Sequence, residues 1–168
     1  MATSIRLWKQ EDLGNLVRYA NNFHIWSNLR NYFPHPYTEE NGKEWLAKVV
    51  DAPLPALNFA IDVEGEAVGG IGLILNSDVY VKSAEVGYWL GEPWWGKGIT
   101  TEALRLITEH AFYYFDLVRL YAEVFETNKA SMRVLEKNGY YLEGVRRKAV
   151  FKNEVLMDDY IWVKLRPW

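Results

Sequence analysis

Hydrophobic residues recur along the first third of the chain with periods of two and of about 3.6. Ile5 and Leu7 alternate with polar neighbours and predict a short first strand. Apolar residues at helical spacing over positions 10–21 predict an amphipathic helix. Two prolines within positions 28–37 disfavour both a helix and a central strand there. A further helix is expected from Thr38 to about position 51, because acidic residues follow Thr38 at the positive end of the helix dipole.

The remaining two thirds alternate between strand and helix patterns. The predicted elements are a hairpin of strands 57–63 and 67–75, a strand 81–90 with a bulge at Gly87, a loop 91–98, a helix 99–115, a strand 117–125, a helix 128–137 and two strands 140–151 and 155–165. This mixed order favours an α+β fold over repeated βαβ units. We expect one mostly antiparallel sheet of six to seven strands with helices on both faces.

Composition limits the class of protein. The 168 residues fit one domain, spanning 1–168, and 49% apolar residues suffice for its core. Nineteen basic residues against twenty-two acidic ones argue against nucleic-acid binding. The sequence contains no cysteine, which excludes a thiol nucleophile and disulfides. No apolar run approaches about 18 residues and no signal-peptide core begins the chain, so we expect a cytoplasmic protein that binds no membrane.

The most informative stretch joins a predicted strand to a predicted helix through a glycine-containing loop. It contains Gly96, Lys97 and Gly98, followed directly by the helix start at Ile99 and Thr100. Glycines let the backbone approach a bulky ligand, and a helix start offers unpaired N–H groups that bind phosphate. The spacing matches neither a P-loop nor the dinucleotide-binding fingerprint. A pyrophosphate site is therefore expected here, although a tight connection needing two glycines would have the same sequence.

Residues 95–103, Trp-Gly-Lys-Gly-Ile-Thr-Thr-Glu-Ala, resemble the pyrophosphate-binding motif of GNAT-superfamily N-acetyltransferases. The similarity is greatest to the branch containing the ribosomal-protein alanine N-acetyltransferases. A second stretch, positions 128–140, resembles the Asn-x-x-Ser helix of that branch, and nearly the whole chain follows its order of motifs. Pro93 departs from the Arg or Gln that begins the superfamily motif, as is common in this branch.

The resemblance implies acetyl-coenzyme A as co-substrate, with no metal, and assigns roles to individual residues. Trp89 and Leu90 would bond the pantetheine arm, with the Leu90 N–H near the thioester oxygen. Asn128 would also bond that arm, and Ser131 would donate or relay a proton to the leaving thiolate, since the superfamily's usual tyrosine position holds Leu135. The alternative for Asn128 is a plain helix N-cap, and for Ser131 a side-chain bond to the helix backbone. The expected cofactor-binding residues are thus Trp89, Leu90, Gly96, Lys97, Gly98, Ile99, Thr100, Asn128 and Ser131.

The acceptor side is less clearly specified by the sequence. Glu85 is the first candidate for a general base, because it lies on the strand leading to Leu90, and Asp158 is the second. Asn31, Phe33 and Asp158 are expected to contact the substrate. The predicted reaction is direct attack of a primary amine, from a protein N-terminus or a small molecule, on the thioester. The alternatives are a non-catalytic acyl-coenzyme A sensor and a detoxifying polyamine or antibiotic acetyltransferase; a homodimer stays open.

Overall fold

The computed structural model describes residues 1–167, which form one seven-stranded sheet with helices on both faces. The strands are β1 Thr3–Arg6, β2 Asn58–Val63, β3 Glu66–Leu75, β4 Ser83–Leu90, β5 Arg119–Phe125, β6 Tyr141–Lys152 and β7 Val155–Leu165. The helices are α1 Leu13–Ala20, α2 Phe23–Trp26, α3 Glu39–Val49, α4 Ile99–Tyr114 and α5 Lys129–Lys137. The strand order is β1-β2-β3-β4-β5-β7-β6, which confirms the predicted α+β fold class.

The sheet separates in its middle, where β4 and β5 form its parallel pair. These strands pair over Ser83–Glu85 and Arg119–Tyr121 and then diverge. On its other edge β4 stays paired with β3 as far as Leu90, and β5 stays paired with β7 as far as Phe125. The second halves of β4 and β5 therefore face each other across a gap. On the edges that border this gap, their backbone N–H and C=O groups are not paired with a strand.

Two hydrophobic clusters cover the two faces of the sheet. The larger one contains buried residues of α4 and α5, among them Leu104, Ile107 and Leu135. The smaller one contains Leu16 of α1 and Leu46 of α3. Because successive strand side chains point to opposite faces, β4 presents alternate residues to these two sets of helices.

Several local predictions differ from the structure. Positions 10–21 form a 3₁₀ turn at Gln10–Asp12 before α1, because the carboxylate of Asp12 bonds Arg6 and the N–H of Lys9. The short helix α2 was not predicted; Asn22 caps it by accepting from the N–H groups of His24 and Ile25. The bulge predicted at Gly87 is wrong, since β3 and β4 keep one register throughout. The irregularity lies instead in the β2–β3 pairing, after Ile61.

Candidate active site

A cleft of about 910 Å³ passes through the gap between β4 and β5. One end, here called the α5 side, is lined by the loop before α4, the first turn of α4 and one face of α5. The other end, here called the hairpin side, is lined by residues of the α2–α3 segment and of the β6–β7 hairpin. The cleft therefore connects the two faces of the sheet.

On the α5 side, Gly96 and Gly98 shape the loop that leads into α4. Both have left-handed backbones, with φ of +75° and +78°, which glycine adopts without steric cost. A Cβ atom at either position would meet no protein atom within 4 Å, so the space over the loop is open. Gly98 is the N-cap of the sixteen-residue helix α4, whose first N–H groups, from Ile99 and Thr100 onwards, have no partner within the helix. This geometry fits an anionic group such as a pyrophosphate.

The open edge of β4 offers a backbone donor beside this loop. Gly91 donates its N–H to the Val68 carbonyl on the β3 side, at 2.8 Å. Because backbone N–H groups alternate along a strand, the N–H of Leu90 points to the gap, whereas that of Trp89 points to β3. The carbonyl of Leu90 is already bonded by the indole Nε1 of Trp95, at 2.7 Å. Trp89 and Leu90 were both expected to bond the pantetheine arm. Of these two residues, Leu90 is the one whose backbone N–H points into the cleft.

Ser131 lies on α5 and Asn128 is the N-cap residue of that helix, at the same end of the cleft. Asn128 Oδ1 accepts the N–H of Ser131 at 3.3 Å, so its capping role is observed. Within residues 1–167 its Nδ2 group donates no hydrogen bond and can serve a ligand. The Ser131 hydroxyl lies 2.7 Å from the hydroxyl of Tyr88 on β4. Burial raises the pKa of Tyr88, so its hydroxyl stays protonated at neutral pH.

Sequence reasoning missed Tyr88. Its side chain points to the α5 side because it alternates with Glu85 and Gly87 along β4. The usual tyrosine position of the superfamily holds Leu135, which is fully buried in the core. Tyr88 therefore brings a phenol to the cleft from a strand instead of from the helix.

On the hairpin side, Arg30 joins the two diverging strands. Its guanidinium bonds both carboxylate oxygens of Glu85 on β4, at 3.1 and 2.5 Å, and Glu123 on β5 at 2.9 Å. Arg146 on β6 pairs with the other oxygen of Glu123. Glu85, the predicted base, thus lies in the cleft with both oxygens engaged by a cation.

Asp159 is the third carboxylate that lines the cleft. Only 4% of the residue is exposed, and no group within residues 1–167 forms a hydrogen bond with its Oδ1 atom. Burial raises its pKa to about 6, and the nearby Glu123 adds to the shift, whereas Arg146 and Arg30 oppose it. Strand alternation in the sequence does not single out this residue, because Asp158 shares a period of two with the equally apolar Leu156, Tyr160 and Trp162.

The remaining predicted residues divide into those inside and those outside the cleft. Asn31 lines it, but its Oδ1 accepts from the buried Nζ of Lys152, which anchors the β6–β7 hairpin. Phe33 lies outside the lining and packs on Tyr37 and Trp89. Asp158 also lies outside it, bonded to the Arg147 side chain and the N–H of Lys148. Lys97 places its Nζ 5.2 Å from the centre of the Trp94 ring and does not line the cleft.

Replacing Arg30 with glutamine should lower the melting temperature by about 2–4 °C at pH 7, because the side chains of its partners Glu85 and Glu123 are only 13% and 20% exposed and would lose a shared cation, at a cost of about 1 kcal/mol. Thermal unfolding at pH 7 measures this change in melting temperature. Arg105→Gln is the matched control, because Arg105 also bonds two glutamates, but on an exposed helix. An equal loss in both variants would contradict a special role for Arg30.

Residues 1–167 contain no group of three or more histidine, cysteine, aspartate or glutamate side chains arranged to bind a metal ion. Within the same range, no helix is both long enough and apolar enough to cross a membrane.

The chain belongs to the acetyltransferase (GNAT) domain family, whose model matches residues 3–141. Probable N-acetyltransferase YjcK of Bacillus subtilis is 44% identical over 52% of this chain and 48% of its own length. The ribosomal-protein-serine acetyltransferase of Escherichia coli is 32% identical over 64% of this chain and 59% of its own length. The matched segments thus cover about half to three-fifths of these relatives.

Among solved structures, spermidine N-acetyltransferase from Vibrio cholerae, in complex with coenzyme A and spermine, has a TM-score of 0.80. It is 22% identical and the match covers 97% of this chain and 95% of that one. At this identity the likeness concerns the fold. The family match confirms the resemblance that the two sequence motifs indicated.

Proposed function

We propose that this protein is an N-acetyltransferase that moves an acetyl group from acetyl-coenzyme A to a primary amine. The observation that carries the proposal is the cleft through the sheet, which joins an open strand edge and a glycine-flanked helix start to a carboxylate-lined pocket. The names of the two relatives, one acting on a ribosomal protein and one on spermidine, support an amine acceptor. We infer a protein N-terminal residue or a small amine.

The α5 side of the cleft suits the co-substrate. The backbone from Gly96 to Thr100 would hold the pyrophosphate, with no side chain in the way. Basic residues of α5 that line the cleft, Lys129, Arg133 and Lys137, add positive charge at this end. Asn128 Nδ2 would donate to a carbonyl of the pantetheine arm, which the open edge of β4 would bind like an added strand.

The bound thioester supplies an acyl group that is activated for attack by an amine. The N–H of Leu90 would donate to the thioester oxygen, where negative charge develops. A preorganised donor of this kind is worth about 2.7–4 kcal/mol in the transition state. The Ser131 hydroxyl would give a proton to the departing sulfur and be reprotonated by Tyr88, whose hydroxyl lies 2.7 Å away.

The acceptor would enter from the hairpin side, on the opposite face of the sheet. Glu85, Glu123 and Asp159 line that end and favour a cationic amine. The Ser131–Tyr88 pair favours an enzyme over an acyl-coenzyme A sensor, since a sensor needs no proton donor at the sulfur.

A panel of acceptors tests the proposal. N-terminal peptides beginning with serine or alanine, together with spermidine and an aminoglycoside, are incubated with acetyl-coenzyme A and the protein, and mass spectrometry detects acetylation. At least one amine should be acetylated well above a protein-free control, which measures spontaneous transfer from the thioester. Cofactor binding by calorimetry without turnover on any acceptor would support the sensor instead. Failure to bind acetyl-coenzyme A would overturn both.

A further inference from the structure

The three carboxylates that line the cleft are not equivalent. Glu85 and Glu123 are both bonded to arginine: Arg30 bonds the two of them, and Arg146 bonds Glu123. Within residues 1–167, Asp159 makes no ion pair, and its buried Oδ1 accepts no hydrogen bond. A buried polar atom without a partner is costly, so its presence in a cleft indicates a ligand that completes it.

The sheet register fixes where Asp159 points. It pairs with Phe125 on β5 and with Arg146 on β6. Strand alternation therefore puts it on the face that carries Glu123, and the pairing of Glu85 with Tyr121 puts Glu85 on that face too. The charged groups that act on it are Glu85 from β4, Glu123 from β5, Arg146 from β6 and Arg30 from the α2–α3 segment.

We propose that Asp159 binds the ammonium group of the acceptor and takes its first proton. The inference rests on the proposed acetyl transfer and names the base of that reaction. The ammonium gives one proton to Asp159 and becomes a neutral amine, whose nitrogen then forms the C–N bond as the C–S bond breaks. The nitrogen then loses a second proton to solvent, while Ser131 gives one to the sulfur and is reprotonated by Tyr88, which regains a proton from solvent. Asp159 later releases its proton to solvent, so the products are an N-acetyl amide, a free thiol and one proton.

The carboxylate of Asp159 suits this task better than that of Glu85. It is mostly ionised at pH 7, because its raised pKa of about 6 lies below neutrality, and no cation of residues 1–167 forms an ion pair with it. An α-amine has a pKa of about 8 and a lysine amine one of about 10.4. Proton transfer to Asp159 is therefore uphill by about two pKa units for the first and about four for the second. This difference favours a peptide N-terminus over a lysine side chain or an alkyl polyamine.

Asp159→Asn tests the inference, with Asp158→Asn as its matched control. Asp158 is the adjacent carboxylate, outside the cleft and bonded to Arg147. With a serine-initiated peptide, kcat/KM of the Asp159 variant should fall about 100-fold at pH 7, the lower end of the range for general bases. The rate increase of the wild-type protein near pH 6 should disappear, and the deficit should narrow above pH 9, where the amine is already neutral. Asp158→Asn should keep the wild-type profile.

A second measurement does not depend on turnover. In protein labelled with ¹³C at the aspartate carboxyl carbons, methylammonium chloride should shift the Asp159 signal, and that response should be absent from Asp159→Asn. Unchanged affinity for acetyl-coenzyme A in this variant separates the base from the cofactor site. The inference would be overturned if Asp159→Asn kept the wild-type pH profile, or if the rate increase near pH 6 disappeared only in Glu85→Gln. Either result would leave the proposed acetyl transfer intact. No methylammonium response at Asp159 would overturn it too.

Discussion

Gly98→Val should raise the dissociation constant for acetyl-coenzyme A about 100-fold, which corresponds to about 2.7 kcal/mol. Gly98 has a φ of +78°, and a Cβ there would project into the open space above the loop. A β-branched side chain would occupy the region that the pyrophosphate needs, and it would also strain the left-handed backbone at the N-cap of α4. Isothermal calorimetry measures the affinity directly.

Gly65→Val is a control that separates steric exclusion of the pyrophosphate from backbone strain. Gly65 has a φ of +91° and equally open surroundings, but it lies in the β2–β3 turn, away from the cleft. Both variants should lose comparable thermal stability from backbone strain, whereas the affinity for acetyl-coenzyme A should fall in Gly98→Val alone. If Gly98→Val binds as tightly as the wild-type protein, the pyrophosphate does not lie on this loop.

Ser131→Ala should lower kcat about 100-fold and change the dissociation constant for acetyl-coenzyme A less than threefold. In the proposed role, the hydroxyl contributes only when the thiolate departs, so its loss should affect the transition state more than the bound ground state. The helix start should persist, because Asn128 bonds the backbone N–H of position 131 and not its side chain. Steady-state kinetics with a thiol reagent that detects free coenzyme A measures the effect.

Tyr88→Phe keeps the ring in the core and removes the hydroxyl that contacts Ser131. We expect a smaller loss in kcat, about tenfold, since Ser131 could still exchange its proton with water. The double variant should be no slower than Ser131→Ala alone, because both residues act in one proton path. Additive losses would mean that the two hydroxyls work separately, and equal losses in kcat and cofactor affinity would assign Ser131 to binding.

Much of the fold could be predicted, since it depends on local patterns. Each of these patterns occupies one continuous segment of the sequence. Apolar periodicity indicated helix α4 and the two final strands, and the glycines indicated the loop before α4. The 3₁₀ turn at Gln10–Asp12 could not be predicted in this way. It depends on Arg6, which reaches from β1 to bond both Asp12 and Asp62, a residue 56 positions away.

The same distinction applies to the site. The α5 side was predictable because Gly96, Gly98, Asn128 and Ser131 lie in two short motifs. The role of Arg30 could not be predicted, because its partners Glu85 and Glu123 are 55 and 93 residues away in sequence. They come within reach of Arg30 at the place where β4 and β5 diverge. The choice between Asp158 and Asp159 required the direction of β7 side chains relative to the cleft, which follows from the sheet order.

In the proposed reaction, the two sides of the gap between β4 and β5 would bind the co-substrate and the acceptor with parts of the chain that are distant in sequence. Gly96, Gly98, the first turn of α4 and α5 form one wall, while Arg30, Asn31 and the β6–β7 hairpin form the other. Lys152 fastens that hairpin to the α2–α3 segment through Asn31 and lies 3.7 Å from the centre of the Trp26 ring. We therefore expect that exchanging the β6–β7 hairpin together with residues 26–31 between homologues would transfer acceptor preference. The proposed coenzyme A site on the α5 side would need no change.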